Sequence, residues 1–288
     1  RERFRPAIVA QAVVPIAVFA AVAWTRDGAS AGPLVAGTIV GLLVQVALLV
    51  TALGRDGHRP AGPAGFPHRD LRAVAAQWLP AAGAMLFQDL TTLIDQAMAA
   101  ALAPGSVSAL SYAYRIVSLP LSLISASLGV AILPVLSDLA ARGRDGEFAS
   151  ATARWVRVTL WGGLGATLAA APFTLPVVRL VYQRGAFDAA DSQVVAAVIL
   201  SYLGMIPFFV AGIVAVQAVT ARAGNVVLLA VGVVNLVVNV IGNIVLSRWF
   251  GVAGIALSTV CVYAISATIL IGWLRLRLVG APDRPAAG

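Results

Sequence analysis

Apolar residues fill this chain in long blocks, broken by short charged or Gly/Pro-rich stretches. About eight blocks are long enough to cross a bilayer as helices: Pro6–Trp24, Pro33–Leu53, Leu71–Ala103, Ser106–Ser137, Phe148–Ala171, Val194–Val219, Val226–Leu246 and Val252–Leu276. The pattern predicts an all-α, polytopic transmembrane helix bundle. Gly54–Asp70 (GRDGHRPAGPAGFPHRD) reads as a basic Gly/Pro linker between the second and third spans. TLPVVRLVYQRGAFDAAD reads as an outer segment leading to the sixth span, and residues 278–288 as a polar tail.

The fourth block, SVSALSYAYRIVSLPLSLISASLGVAILPVLS, carries a single charge, Arg115. A helix of this length would be about 48 Å long against a hydrocarbon core of about 30 Å, so it must tilt, bend or project. Pro120 offers a bend, because it donates no backbone hydrogen bond and crowds the carbonyl of Ile116. Pro80, Pro134 and Pro207 offer others, and Gly37 and Gly41, four apart, permit close helix contact. Such a bundle suits rocking between two states.

Composition narrows the class. With 60% apolar residues, 11% charged and a mean hydropathy of +0.92, no room is left for a soluble domain. All 20 basic residues are arginine. The net charge of +8 would point to nucleic acid in a soluble chain; here it reports topology and anionic lipid, and no nucleic-acid partner is expected. With a cytoplasmic N-terminus, Arg1, Arg3, Arg5, Arg55, Arg59, Arg69, Arg72, Arg142, Arg144, Arg154, Arg157, Arg222, Arg275, Arg277 and Arg284 fall on that side. Arg26, Arg179, Arg184 and Arg248 fall on the other. The positive-inside rule therefore places both ends of the chain in the cytoplasm.

Cys261 stands alone in an apolar run, which predicts core packing. His58 and His68 share the linker without further ligands and do not predict a metal. No Gly-rich phosphate loop or nucleophile elbow is present, so the chain does not read as an enzyme.

Intramembrane polar groups are few and therefore legible. An arginine in hydrocarbon is costly and normally faces a bundle interior or a watery cavity; the alternatives are snorkelling to an interface or neutralisation by a carboxylate. The third span carries Gln88, Asp89, Asp95 and Gln96. Asp95 precedes the Pro104–Gly105 turn by about ten residues and Arg115 follows it by about ten, so a hairpin brings both about 15 Å in from the turn. Asp89 lies about 9 Å deeper. An Asp95–Arg115 pair is sterically allowed, and two carboxylates near one arginine fit a switched site where a cation or proton competes with an anionic substrate. Asn235 and Asn239 share a face of the seventh span, and the eighth adds Ser258 and Thr259. Oxygens from Asp95, Asn235, Asn239 and Thr259 could hold a small hard cation if the helices converge. Interhelical hydrogen bonding uses the same residue types and is the simpler reading of the spacing.

Several blocks together resemble the MurJ/MviN family of lipid II flippases, in the multidrug/oligosaccharidyl-lipid/polysaccharide exporter superfamily. They are Thr92–Asp95 (TLID), Ala113–Pro120 (AYRIVSLP) with Ala131–Pro134 (AILP), Val181–Phe187 (VYQRGAF), Leu257–Thr259 (LST) after GVAGIA, the VVNLVVN run and the opening RFRPA. The resemblance implies a fourteen-helix exporter fold of two pseudo-symmetric six-helix lobes plus two helices. Residues 1–53 would close the first lobe, 54–70 would link, and 71–277 would form the complete six-helix C-terminal lobe; the first four helices and last two would be absent. It further implies alternating-access movement of lipid II, an undecaprenyl-diphosphate-linked peptidoglycan precursor, across the bacterial cytoplasmic membrane.

In that family a cationic cavity binds the diphosphate, which falls here to Arg115, and the resemblance suggests a sodium ion at Asp95, Asn235, Asn239 and Thr259 as the one ion, with no other cofactor. Gln88 and Asp89 are secondary candidates. The expected partners are lipid II or a related polyprenyl-diphosphate lipid, the membrane, and cell-wall synthesis proteins. Three positions depart from the family pattern: Tyr114 stands where an acid usually precedes the arginine, an amide stands near Asn239 where an acidic oxygen is common, and Asp89 stands where a neutral residue is commoner. The absent helices and Tyr114 motivate a second reading, a transport-inactive scaffold of the cell-wall machinery; a third is an exporter of another polyprenyl-linked oligosaccharide or a drug.

Overall fold

The computed structural model describes residues 5–25, 32–55, 68–222 and 224–279. Most of the linker expected over Gly54–Asp70, including His58, lies outside the described residues, as do Arg26 and residues 280–288 of the tail. The chain divides into two compact units, residues 1–72 and 73–288.

In the first unit α1 (Arg5–Thr25) and α2 (Gly32–Arg55) pack against each other. A Cβ on Gly37 would lie 2.8 Å from the Cα of Val18, and one on Gly41 would lie 2.8 Å from the Cα of Val14. As α2 advances four residues α1 retreats four, so the pair is antiparallel. The small residues let the two backbones touch, which supplies the dispersion contact that replaces hydrophobic driving force between helices in lipid.

The second unit contains all but the first turn of α3 (His68–Ala100), and α4 (Ser106–Ala141), α5 (Asp145–Ala170), a 3-10 turn (Ala171–Phe173), α6 (Thr174–Tyr182), α7 (Ala189–Leu203), α8 (Ile206–Ala221), α9 (Asn225–Phe250) and α10 (Val252–Val279). Two buried clusters hold it together. One joins Leu110, Ala113 and Val117 of α4 to Val195, Val198 and Tyr202 of α7 and Ile255 of α10. The other joins Ile132 and Leu136 of α4 to Phe148 of α5, Val214, Ala215 and Ala218 of α8, and Leu270 and Leu274 of α10. Helix α4 crosses both, so the longest helix is the spine of this unit.

Among the described residues, five helices are long and apolar enough to cross a membrane, and a sixth is added if α7 and α8 count as one bent span. Helix α3 is diluted by Gln88, Asp89, Asp95 and Gln96. The eight expected runs are thus all helical, but not all equally apolar.

Three features qualify the picture of plain spans. The bend that Pro207 offers is realised as a break in the sixth span: α7 and α8 meet at 41°. Pro207, in the first turn of α8, has no N–H to give the carbonyl of Leu203 one turn earlier, so the helix stops there. The orphan carbonyl of Leu203 is satisfied from α5 instead, by Thr167 Oγ1 at 2.8 Å. By contrast, α3 runs through Pro80, and α4 through Pro120 and Pro134, each as one helix. Second, the outer segment is not a plain connection, because its first half is α6. Its second half holds Asp188, whose carboxylate accepts from the backbone N–H groups of Ala190 and Asp191 at 2.8 and 2.9 Å and caps α7. Third, Cys261 is exposed on α10 and plays no part in the core.

Candidate functional site

Asp95 sits one turn from the end of α3 and is buried, 8% exposed. A carboxylate there must be satisfied by donors. Two come from one face of α9: Asn239 Nδ2 donates to Asp95 Oδ1 at 2.8 Å, and Asn243 Nδ2 donates to the same oxygen at 2.7 Å. The hydroxyl of Ser258, on α10, donates to Asn243 Oδ1. Asn239, Asn243 and Ser258 are all 0% exposed. Gly242 makes room for this triple junction, since a Cβ there would lie 2.8 Å from Ser258 Cβ. The result is a directional chain of hydrogen bonds, α10 to α9 to α3, ending on one carboxylate oxygen.

Arg115 lines a cavity of about 280 Å³ shared with Gln88, Asp95, Tyr114, Tyr202, Thr259 and Tyr263. Along α3 the lining positions 88, 91, 92, 95 and 96 form a single helical face. The predicted equal depth of Asp95 and Arg115 is realised in this common cavity, but the two make no ion pair. Asp95 is already engaged by amides, and Arg115 is exposed with no ion-pair partner among the described residues. Tyr114, the departure from the acidic pattern, packs edge-on against Tyr202 at 5.9 Å and lines the same cavity. A phenol therefore stands where a neighbouring carboxylate would have cancelled the guanidinium. Such an arginine can hold a phosphate or diphosphate through paired N–H donors.

A second cavity, of about 480 Å³, shares Gln88 and Tyr263 with the first and has no charged side chain among the described residues of its wall. Asn235 belongs to this one. It accepts a hydrogen bond from Ser266 Oγ at 2.5 Å and does not meet Asp95. Asp89, exposed on α3, lines neither cavity; it lies about 100° around the helix from Gln88.

The sodium set implied by resemblance is therefore only half assembled. Asp95 and Asn239 are in contact, Asn235 is turned to Ser266, and Thr259 lines the cavity while its hydroxyl donates to the Ile255 carbonyl at 3.3 Å. The two amides that do reach Asp95 present N–H groups to it. Donors of that sign meet an anion, whereas a hard cation needs converging oxygens. As arranged, these residues form a hydrogen-bond clasp and do not fit a cation.

Two residues of the clasp, Asn243 and Ser258, fall outside the expected set. Both had a signal: Asn243 closes VVNLVVNVIGN four residues after Asn239, and Ser258 precedes Thr259. A four-residue step advances about 40° around a helix, so Asn235 and Asn243 diverge by about 80°. Only the later two asparagines reach Asp95.

The motif Val181–Phe187 acts as packing for the cavity-bearing helix. Tyr182 and Phe187 close on Tyr112 of α4 at 4.8 and 5.8 Å, and Tyr182 OH donates to the Tyr112 carbonyl at 3.4 Å. This anchors α4 one turn before Arg115.

Comparison with known proteins bears on family and fold. The family model for lipid II flippase MurJ matches residues 1–285. A probable lipid II flippase MurJ of Bdellovibrio bacteriovorus is 30% identical over 239 residues, 83% of this chain and 46% of that protein. A lipid II flippase MurJ of Burkholderia cenocepacia is 28% identical over 75% of this chain and 42% of its own length. The chain thus spans about half the length of the curated relatives it matches. Among solved structures, lipid II flippase MurJ in an inward closed conformation superposes with a TM-score of 0.69 at 18% identity, covering 97% of this chain and 57% of that one. The Vibrio cholerae MATE transporter VcmN superposes at 0.67 with 14% identity, covering 96% and 61%; these two likenesses speak to fold. With its family model matched over nearly the whole chain, this multi-span membrane protein belongs to the MurJ family of lipid II flippases.

Proposed function

We propose that this chain supplies the substrate-binding second lobe of a lipid II flippase that works by alternating access in the bacterial cytoplasmic membrane, with both ends of the chain cytoplasmic. One observation carries the reading: Arg115 stands in a cavity with its guanidinium uncompensated, because the only carboxylate among the described residues lining that cavity is held by Asn239 and Asn243. An uncompensated arginine in a cavity of a membrane-spanning bundle suits an anion, and a polyprenyl diphosphate presents the matching charge. The Asp95 clasp would serve as the rigid wall behind it, complete without sodium. Cell-wall synthesis proteins are partners that this reading leaves to a pull-down.

The test is lipid II binding to the full-length protein. Arg115→Gln should lower affinity by at least about tenfold, as expected for loss of a charge-assisted phosphate contact. Unchanged binding would overturn the assignment. Vesicles containing the protein that bind lipid II yet never move it would favour a scaffold instead.

A further inference from the structure

Around the α4–α5 turn the acidic residues are all spoken for. Asp138 accepts from Arg142 Nε at 2.9 Å, Glu147 accepts from Arg144 at 2.7 and 2.6 Å, and Asp145 pairs with Arg222. Further along α5, Arg154 and Arg157 are exposed and have no ion-pair partner among the described residues. They do not stand alone. Steps of three and four place Arg154, Arg157, Trp161, Leu164 and Leu168 in one straight stripe along the helix. Trp161 is 65% exposed and Leu168 67%.

The order of chemistry along this stripe is that of a phospholipid. Two cations one turn apart come first, then an indole, then leucines. From Arg157 to Leu168 is about 16 Å, roughly half of a 30 Å hydrocarbon core and so the depth of one leaflet. We propose that the α5 stripe is a binding site for an anionic phospholipid of the phosphatidylglycerol class. Arg154 and Arg157 take the phosphodiester, Trp161 sits at the level of the glycerol esters, and an acyl chain lies over Leu164 and Leu168. None of the five residues lines the Arg115 cavity, so the site is separate from the proposed substrate site.

Native mass spectrometry of the full-length protein, released from vesicles of equal phosphatidylglycerol and phosphatidylcholine, tests the assignment. Phosphatidylglycerol should be retained preferentially, and the double variant Arg154→Gln/Arg157→Gln should lower its occupancy about tenfold or more, as expected for two arginines facing an anionic headgroup. Arg154→Lys/Arg157→Lys, which keeps the charge, should retain most of it. Trp161→Ala, which leaves the charge untouched, should weaken it as well. Excess inorganic phosphate should not displace the lipid, because the phosphate alone makes no use of Trp161 or the leucines. Equal retention of the two lipids, a double Gln variant that binds like the unchanged protein, or displacement by phosphate would each overturn the proposal.

Discussion

Asn243 of α9 holds Asp95 of α3 at 2.7 Å, and the same amide takes the hydroxyl of Ser258 from α10 on its other side. One side chain therefore couples three helices, with no exposure to solvent or lipid. In lipid, where helices gain little from hydrophobic burial against one another, such a buried polar junction fixes which faces meet.

Replacing Asn243 with alanine should cost about 2–3 kcal/mol of stability, since it removes a charged hydrogen bond and leaves Asp95 with a single donor. Ser258 is the member that recovers, because its hydroxyl already lies 3.0 Å from the Ile255 carbonyl. Ser258→Ala should accordingly cost less than Asn243→Ala. Thermal denaturation in one detergent, with both variants side by side, checks the order.

If the clasp is complete without a cation, exchanging sodium for choline should leave the melting temperature of the unchanged protein where it was. Asn239→Asp changes this. It sets a second carboxylate about where Nδ2 now lies, 2.8 Å from Asp95 Oδ1. Two carboxylates that close cannot both ionise at ease. The variant should be destabilised in choline and rescued by sodium, while a sodium-specific rise in the unchanged protein would reject the clasp.

Sequence made the class, the eight helical runs and the polar positions of α3, α9 and α10 legible, because run length and one-face spacing are local properties. It also put Asp95 and Arg115 at similar depth from the length of the intervening turn alone, and in the structure they line one cavity. What it did not reveal depends on rotation and on partners from elsewhere in the chain. Asn235 and Asn243 differ by a drift of about 80° that decides which meets Asp95. Asp95 and Arg115 stay apart because two amides, from a helix far along the chain, reach the carboxylate first. Pro207 breaks its helix where Pro120 does not, and a hydroxyl on α5 marks the difference.

The Asp145–Arg222 pair ties the first turn of α5 to the end of α8, with side chains about one-fifth exposed, and the guanidinium also lies 4.5 Å over the ring of Phe148. Arg222 Nε is buried without a partner, so the arginine has little to fall back on. Asp145→Asn should cost about 2 kcal/mol, between an exposed and a fully buried pair. In a double-mutant cycle, Arg222→Gln should cost less on top of Asp145→Asn than alone, since the pair is already broken. Additive losses would mean that the two residues act independently.

Thr167 and Pro207 should prove coupled through an atom that belongs to neither. Pro207 withholds the N–H that Leu203 would accept, and Thr167 provides the replacement at 2.8 Å. Thr167→Val keeps the shape and removes the donor, so it should cost about 1–3 kcal/mol by leaving that carbonyl unpaired. Pro207→Ala restores a helical donor and lets α7 and α8 run straighter. In that background the hydroxyl is redundant, and Thr167→Val should cost little. Thermal stability of the four proteins gives the coupling, and a cost for Thr167→Val that is the same in both backgrounds would show that the bend is held by packing and not by this bond.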